Sequence, residues 1–590
     1  MNKYTNAPSN YDKAPAVKVE ARYADDCFAG WDNITKELHR GVGVKGGQKT
    51  ILVIECYQGV DDAEVLGALA ALNPTQIFRS ADAMLPAEKI SEHTYEYVTD
   101  DEIFGYMSPQ EIDVWFDPKS VAAIRRQIDA CASGLVIVYG IGAAYIRPKA
   151  DLLVYADMAR WEIQLRFRAN KASNVGLDNA TERFALQYKR AFFVDWRICD
   201  RFKRKLMPQW DYLLDTNTAG QPKLVTGDSV RATLQHAVTR PFRVVPFFDP
   251  GPWGGQWMKE VCDLDRSAKN FAWCFDCVPE ENSLLLQYGA TKVEIPSIDL
   301  VFAQPEGLLG RSVYDRFGAE FPIRFDFLDT MEGGNLSLQV HPLESYIKDK
   351  FGMSYTQEES YYMLDAKEDA TVYLGVKNST DPVLMLAELE KAQQTGTFDA
   401  ECFVGKYPVK KHQHVLIPPG TIHCSGRNSM VLEISATPYI FTFKLWDWGR
   451  LGLDGRPRPI NIGHGSHVIQ WERNEDWVRE NILDRTEPVA EGPGWREERT
   501  GLHEKEFIET RRHWFTGPVE HDTAGNLHVL NLVEGREAVV ESPENRFEPF
   551  IVHYAETFIV PAAVGRYTIR PCGESTGKEC ATLKAYVRTR

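Results

Sequence analysis

The sequence has no surplus of basic charge, no apolar run of membrane length and no framework of paired cysteines. Its 590 residues carry 67 Lys and Arg against 83 Asp and Glu, a formal net charge of −16. That balance disfavours a general nucleic-acid or anionic-membrane surface and leaves an anionic small substrate to a locally basic pocket. No stretch approaches the ~20 apolar residues of a transmembrane helix. The opening "MNKYTNAPSNYDKAP" is polar, without the apolar core of a signal peptide. Eleven cysteines are scattered. Cys274 and Cys277 in "WCFDC" lack the second pair of a structural zinc site and the βαβ surroundings of a thioredoxin-like motif. They read as reduced thiols, which predicts a cytoplasmic protein.

What is present is an ordinary globular composition, 44% hydrophobic and 25% charged, in a chain too long for one core. "KTILVIECYQG" (49–59) predicts a buried strand and turn, and "DDAEVLGALAAL" (61–72) a helix. "GLVIVYGIGAAYI" (134–146) and "ADLLVYADM" (150–158) predict further strands, so residues 1–215 read as an α/β domain with a parallel sheet. The basic stretch 188–207 predicts a helix that packs by its aliphatic stems or contacts another domain. This order loosely resembles a P-loop nucleoside-kinase domain. The turn "ECYQGVDDAEV" lacks the GxxxxGK[ST] glycines and lysine, however, and places Asp61, Asp62 and Glu64 where phosphate would sit. The expectation is a degenerate or repurposed domain that transfers no phosphate from ATP, with Gly140 and Gly142 leaving a flexible strand end. Residues 215–229 read as a linker. Beyond it, short alternating strands between Gly, Pro, Asn and Asp turns predict an all-β double cupin or jelly-roll unit with a small helical insertion near 381–399. The chain is thus multidomain: 1–215, a metal-binding domain over 240–500, and a structural, metal-free β domain over 501–590.

In "NLSLQVHPLESY", Gln339 and His341 share one face of a strand, and two inward polar groups need partners. Water, other side chains or a metal would serve. After a turn at "KDKFGMSYT", an antiparallel return in "QEESYYMLDA" would bring Glu359 close. In "HVLIPPGTIHCSG" the Pro-Pro-Gly turn aims His423 back into the barrel, whereas His412 and His414, in a charged stretch, read as surface residues. Gln339, His341, Glu359 and His423 supply two nitrogens and two oxygens. That set suits zinc, with manganese, cobalt or iron as other divalent choices. A buried polar network without metal is the plainer alternative.

These segments, with "FKLWDWGRLGLDGRPRPINI" downstream and "DPGPWGGQWM" upstream, resemble class I mannose-6-phosphate isomerases, over roughly residues 240–590. In that family the QxH pair, the glutamate of the next strand and the histidine of the PxGTxH turn bind zinc. The resemblance implies interconversion of mannose 6-phosphate and fructose 6-phosphate, or a related sugar phosphate, through an enediol. It places Lys444 where the family carries an active-site arginine, and Gln357 where it carries a lysine. "ATPYIFTF" lacks an aspartate often found there. Lys444 is the catalytic candidate, and Ser337, Lys350 and Arg450 are phosphate-side candidates. Glu433 stands as a base or as support for the ligands. A metal-containing sugar-phosphate sensor and a bifunctional enzyme with an active N-terminal domain are the rival readings.

Overall fold

The computed structural model describes every residue except 1, 6, 46, 437–440, 454, 502–505, 589 and 590. The reading of "ATPYIFTF" falls partly on 437–440 and lies outside the described residues. The chain divides into two compact units. One comprises Ala16–His236 with Glu280–Ala303, and the other Met1–Pro15, Ala237–Pro279 and Gln304–Arg590. Among the described residues, no helix is long and apolar enough to cross a membrane.

The α/β unit is built on a seven-stranded sheet. Its strands are β1 (Cys27–Ala29), β2 (Lys49–Cys56), β3 (Gln76–Arg79), β4 (Gly134–Gly140), β5 (Leu152–Asp157), β6 (Tyr212–Asp215) and β7 (Lys223–Thr226). Their order is β1-β7-β6-β5-β2-β4-β3. Strands β3, β4, β2, β5 and β6 run parallel, and β7 and β1 add antiparallel pairings at one edge. Residues 50–56 of β2 are buried without alternation, as a central parallel strand covered on both faces requires. Leu52, Ile54, Ile137 and Val154 form its core with Ile34 and Leu38 of the helix Trp31–Lys45.

Three expectations change here. The stretch read as a linker is the β6–β7 hairpin, closed by Lys223 Nζ 3.0 Å from Asp215. Polar turn residues mark a hairpin loop as readily as a domain boundary, and the unit continues through the helix Gly227–Ala237. The segment Glu280–Ala303, far along the chain, belongs to it too: Ser283–Tyr288 pairs antiparallel with Thr291–Pro296 and parallel with Ala16–Lys18. Finally, the strand end at Gly140 and Gly142 is pinned, because the Glu55 carboxyl accepts the N–H groups of Gly142 (2.6 Å) and Ala144 (2.8 Å).

The second unit contains two β barrels. In the first, six strands pair in the order β15-β12-β17-β10-β9-β8 and five in the order β14-β13-β16-β11-β18. These are β8 (Phe247–Asp249), β9 (Trp273–Cys277), β10 (Arg324–Asp329), β11 (Leu338–Val340), β12 (Glu358–Ala366), β13 (Thr371–Val376), β14 (Val404–Pro408), β15 (His414–Ile417), β16 (His423–Ser425), β17 (Ser429–Ala436) and β18 (Phe443–Trp446). The insertion is the helix Pro382–Thr395, capped by the Asp381 carboxylate on the N–H of Val383 and Leu384. The expected turn at "KDKFGMSYT" is in its first part a helix, Glu344–Phe351, closed by Gly352 in the left-handed conformation (φ 67°). The second barrel has six-stranded and four-stranded sheets. Its first strand is Glu487–Gly492, so it begins before the expected residue 501.

Candidate metal centre

The centre lies between the two sheets of the first barrel. On the five-stranded sheet, Gln339 of β11 stands directly opposite His423 of β16 and Lys444 of β18. Glu359 comes from β12 of the other sheet, so it reaches the cluster across the barrel and not as the neighbouring antiparallel strand. Strand β12 pairs instead with β15 and β17. Local spacing cannot reveal which sheet a strand joins, and the helix Glu344–Phe351 supplies the length for the crossing.

His341, Glu359 and His423 are fully buried, and one ligand atom from each lies within 4.8 Å of the others. Glu359 Oε2 is 3.1 Å from His341 Nε2, and Oε1 is 2.8 Å from His423 Nε2. Each imidazole is fixed from behind: His341 Nδ1 lies 2.9 Å from the Phe441 carbonyl and His423 Nδ1 2.9 Å from the Thr421 carbonyl. A carbonyl only accepts, so both rings carry a proton on Nδ1. In the neutral rings Nε2 is then a lone pair facing a carboxylate, and like-signed density is pressed together in a dry interior. Among the described residues, His341 Nε2 and Glu359 Oε1 accordingly have no hydrogen-bond partner. Burial pushes Glu359 up, and the two imidazoles outweigh it and hold the carboxyl well below its usual range only when they are protonated on Nε2 as well. The Gln339 amide, with its nitrogen 3.2 Å from His423 Nε2, can present its oxygen by a half-turn. Two imidazole lone pairs, a carboxylate and an amide oxygen form a donor set that fits a borderline divalent cation.

Around this cluster, Gln357 donates to Glu359 Oε2 at 2.9 Å, a neutral donor where the resemblance expects lysine. Glu433 of β17 is buried, and burial followed by the neighbouring Glu359 and Asp326 carboxyls raises it well above an ordinary glutamate. Lys444 is partly exposed. Burial of its ammonium and then the Arg458 guanidinium depress it to about 7, against the pull of Asp447.

The phosphate-side candidates separate. Ser337 donates to Asp447 Oδ1 at 2.8 Å. Arg450 is committed to the same carboxylate (2.8 Å) and to the Asn335 carbonyl (2.5 Å), which gives it a bracing role. Lys350 is exposed in the last turn of the helix Glu344–Phe351. Sequence reasoning passed over Asp447 and Arg458. Arg458 donates to Ser337 Oγ (3.1 Å) and Asp447 (3.3 Å) and is the cation whose charge acts on Lys444. Its signal is the dense run "GRPRPINI", in which it is the second arginine. Of the histidines read as surface residues, His414 is fully buried and bonded to Ser360 Oγ at 2.8 Å. His412 is partly buried against Glu534 at 3.0 Å. The first lies within β15, whose inward face the charged residues before it conceal.

The second unit carries a buried His/Glu/His centre in its first barrel. The resemblance read from its residues is borne out: the chain is similar to mannose-6-phosphate isomerases. It is 28% identical over 237 residues to the protein named "Probable mannose-6-phosphate isomerase GmuF" of Bacillus subtilis, covering 39% of this chain and 69% of that one. It is 26% identical over 219 residues to the mannose-6-phosphate isomerase of Streptococcus mutans, covering 37% of this chain and 64% of that one. A crystal structure of the Bacillus subtilis mannose 6-phosphate isomerase aligns with 59% of this chain and 99% of its own, at TM-score 0.47 and 17% identity. Residues 30–239 match a family model described as a domain of unknown function (DUF8485).

Proposed function

We propose that the chain is a metal-dependent aldose–ketose isomerase acting on mannose 6-phosphate, fructose 6-phosphate or a related sugar phosphate. The observation that carries this reading is the pair of imidazole lone pairs aimed at one buried carboxylate, within a segment similar to proteins named for that reaction. Gln339, His341, Glu359 and His423 would hold the ion, with zinc favoured. When bound, a divalent cation polarises a carbonyl oxygen and lowers the cost of negative charge on it.

The chain's own groups supply the rest. Interconversion removes a proton beside a carbonyl and returns it to the neighbouring carbon. Lys444, charged below about pH 7, offers positive charge to a substrate oxyanion or phosphate. Lysine gives a point charge where arginine would give a bidentate fork, which favours electrostatic stabilisation over rigid orientation. Glu433 and Glu359, drawn in opposite directions by their surroundings, form a buried acid beside a buried carboxylate, so a proton can be kept on Glu433. Ser337 and Arg458, held on Asp447, line the polar ground next to Lys444.

In the α/β unit we infer no phosphoryl transfer. The Asp61 side chain already accepts the N–H groups of Ala63 (2.9 Å) and Glu64 (3.1 Å), which a phosphate would otherwise engage. The basic helix Trp196–Leu206 does not rest on its aliphatic stems alone: the buried Lys203 lies 2.7 Å from Asp157 and 3.0 Å from Asp299. The test is an assay of the full chain with mannose 6-phosphate and fructose 6-phosphate, with added divalent metal and after chelation. Metal-dependent turnover supports the isomerase, and metal content without turnover points to a sensor. ATP hydrolysis by the full chain would reinstate the bifunctional reading.

A further inference from the structure

One turn of the first barrel serves both histidines of the metal cluster. The residues between Ile417, which ends β15, and His423, which begins β16, form this turn. The Gly420 N–H donates to the His341 carbonyl at 2.9 Å. The Thr421 carbonyl accepts from His423 Nδ1, also at 2.9 Å. The turn therefore fixes the backbone of one candidate ligand and the ring of the other. Its path admits only glycine at 420, where φ is 85° and a Cβ would come 2.7 Å from the Val468 carbonyl oxygen. Within the turn, the Thr421 N–H donates to the Pro418 carbonyl at 3.1 Å.

The rest of its support comes from Arg473, far along the chain. Arg473 Nη1 lies 2.9 Å from the Pro418 carbonyl, 2.5 Å from the Pro419 carbonyl and 2.5 Å from Thr421 Oγ1. A charged donor on three acceptors is a strong clamp for so short a segment. The clamp is itself anchored. The guanidinium carbon lies 5.1 Å from the centre of the Trp477 ring, on the helix Glu475–Asn481. The Arg473 carbonyl accepts from the N–H of Val376, the last residue of β13, at 3.0 Å, and its own N–H donates to the Gln470 carbonyl at 3.1 Å. The Gln470 N–H in turn donates to the Gly420 carbonyl at 2.9 Å. Burial lowers the guanidinium against the pull of the Glu472, Glu506 and Glu358 carboxyls, yet an arginine stays charged at neutral pH. Among the described residues, Arg473 donates no hydrogen bond to any of the four candidate ligands.

We propose that Arg473 is a positioning residue for the metal centre: it holds the turn 418–421 so that His341 and His423 present their Nε2 lone pairs to one point. The inference rests on the metal-dependent reading above and adds the group that aims two of its four ligands. Gln339 and Glu359 are placed by other contacts, through the pairing of β11 and the strand β12, so losing Arg473 weakens the centre without abolishing it. All three contacts with the turn come from one nitrogen. A lysine at 473 offers the same charge and donors, but its ammonium ends one bond short of that nitrogen.

The zinc affinity of the full chain, measured by competition with a chromophoric chelator, tests this. Arg473→Met should weaken it about ten- to a hundredfold, the usual effect of removing a group that orients metal ligands. Arg473→Lys should weaken it less. Arg512→Met removes another arginine of this unit, one bound to Glu498 and the His412 carbonyl, and should leave zinc affinity unchanged. Turnover of Arg473→Met should be low at limiting zinc and return at saturating zinc, which separates a group that aims ligands from one that touches substrate. Unchanged zinc affinity in Arg473→Met, an equal loss in Arg512→Met, or turnover that stays low at saturating zinc would overturn the assignment. Should Arg473→Met fold poorly, Arg473→Lys decides, and an unchanged affinity there refutes the role. Tight zinc binding without turnover in the unaltered chain removes the isomerase and leaves the positioning role standing, whereas an unaltered chain that binds no zinc ends both.

Discussion

Buried charge is handled in opposite ways in the α/β unit and in the first barrel. In the α/β unit Lys203 is enclosed by Asp157 and Asp299. Burial and then Asp157 raise Asp299 well above an ordinary aspartate, so one positive charge faces one negative charge and one neutral acid. Arg160 likewise pairs with Asp200, which also accepts from Tyr57 at 2.8 Å. In the first barrel the orientation of two imidazoles leaves lone pairs against a carboxylate. The first arrangement sets each buried cation against a carboxylate of the protein, and the second sets its carboxylate against lone pairs that a cation would join. Counting buried polar residues would not tell the two apart, whereas asking whether charges meet opposite charges does.

The largest expected effect breaks the cluster of the first barrel. His423→Ala should lower bound metal, read by elemental analysis, and should cut isomerase turnover roughly a hundredfold or more. Full metal occupancy in that variant would remove His423 from the ligand set. The matching break in the α/β unit is Lys203→Met, which strands Asp157 and should cost about 3–5 kcal/mol in denaturant unfolding followed by amide exchange of β2 and β5. The comparison sharpens if this variant keeps its metal while His423→Ala keeps its α/β stability. Next in size, Lys444→Met should lower kcat/KM about a hundredfold, while Lys444→Arg should retain most activity if charge is what matters. A loss in KM alone would instead mark Lys444 as a binding group.

The smallest effect is one of pH. Burial lifts Glu55 to about 8 despite its two backbone hydrogen bonds, above its value of about 4.3 in an unfolded chain. Its contribution is therefore complete below about pH 4.3 and declines as pH rises through about 8, since the unfolded chain releases the proton first. Glu55→Gln should flatten the pH dependence of α/β stability across that window. An unchanged slope would show that Glu55 is ionised in the fold.

Legibility from sequence followed locality. The run of β2 and the alternation beside Gln339 and His341 announce themselves within a few residues, as does the Pro-Pro-Gly turn that directs His423. Glu359 was readable as an inward glutamate of a strand, but the sheet it belongs to depends on a pairing across the barrel. His414 was misplaced because the charged residues before it resemble a surface. Arg458 and Asp447 were overlooked because an arginine in a Pro-rich loop carries no periodicity. The Lys203 pairing joins residues whose separation no short-range pattern spans, and so does the contact of Arg473 with the Pro-Pro-Gly turn.

The excursion Glu280–Ala303 also sets an order of events during synthesis. Asp299 and the strand that meets Ala16–Lys18 emerge from the ribosome well after β7. Translation at about 5–20 residues per second leaves the α/β unit waiting for its last parts. During that interval Lys203 lacks one of its carboxyl partners and Ser283–Tyr288 is absent from its small sheet. A nascent chain halted before residue 280 should therefore be more open to proteases than one halted after residue 303 has cleared the exit tunnel.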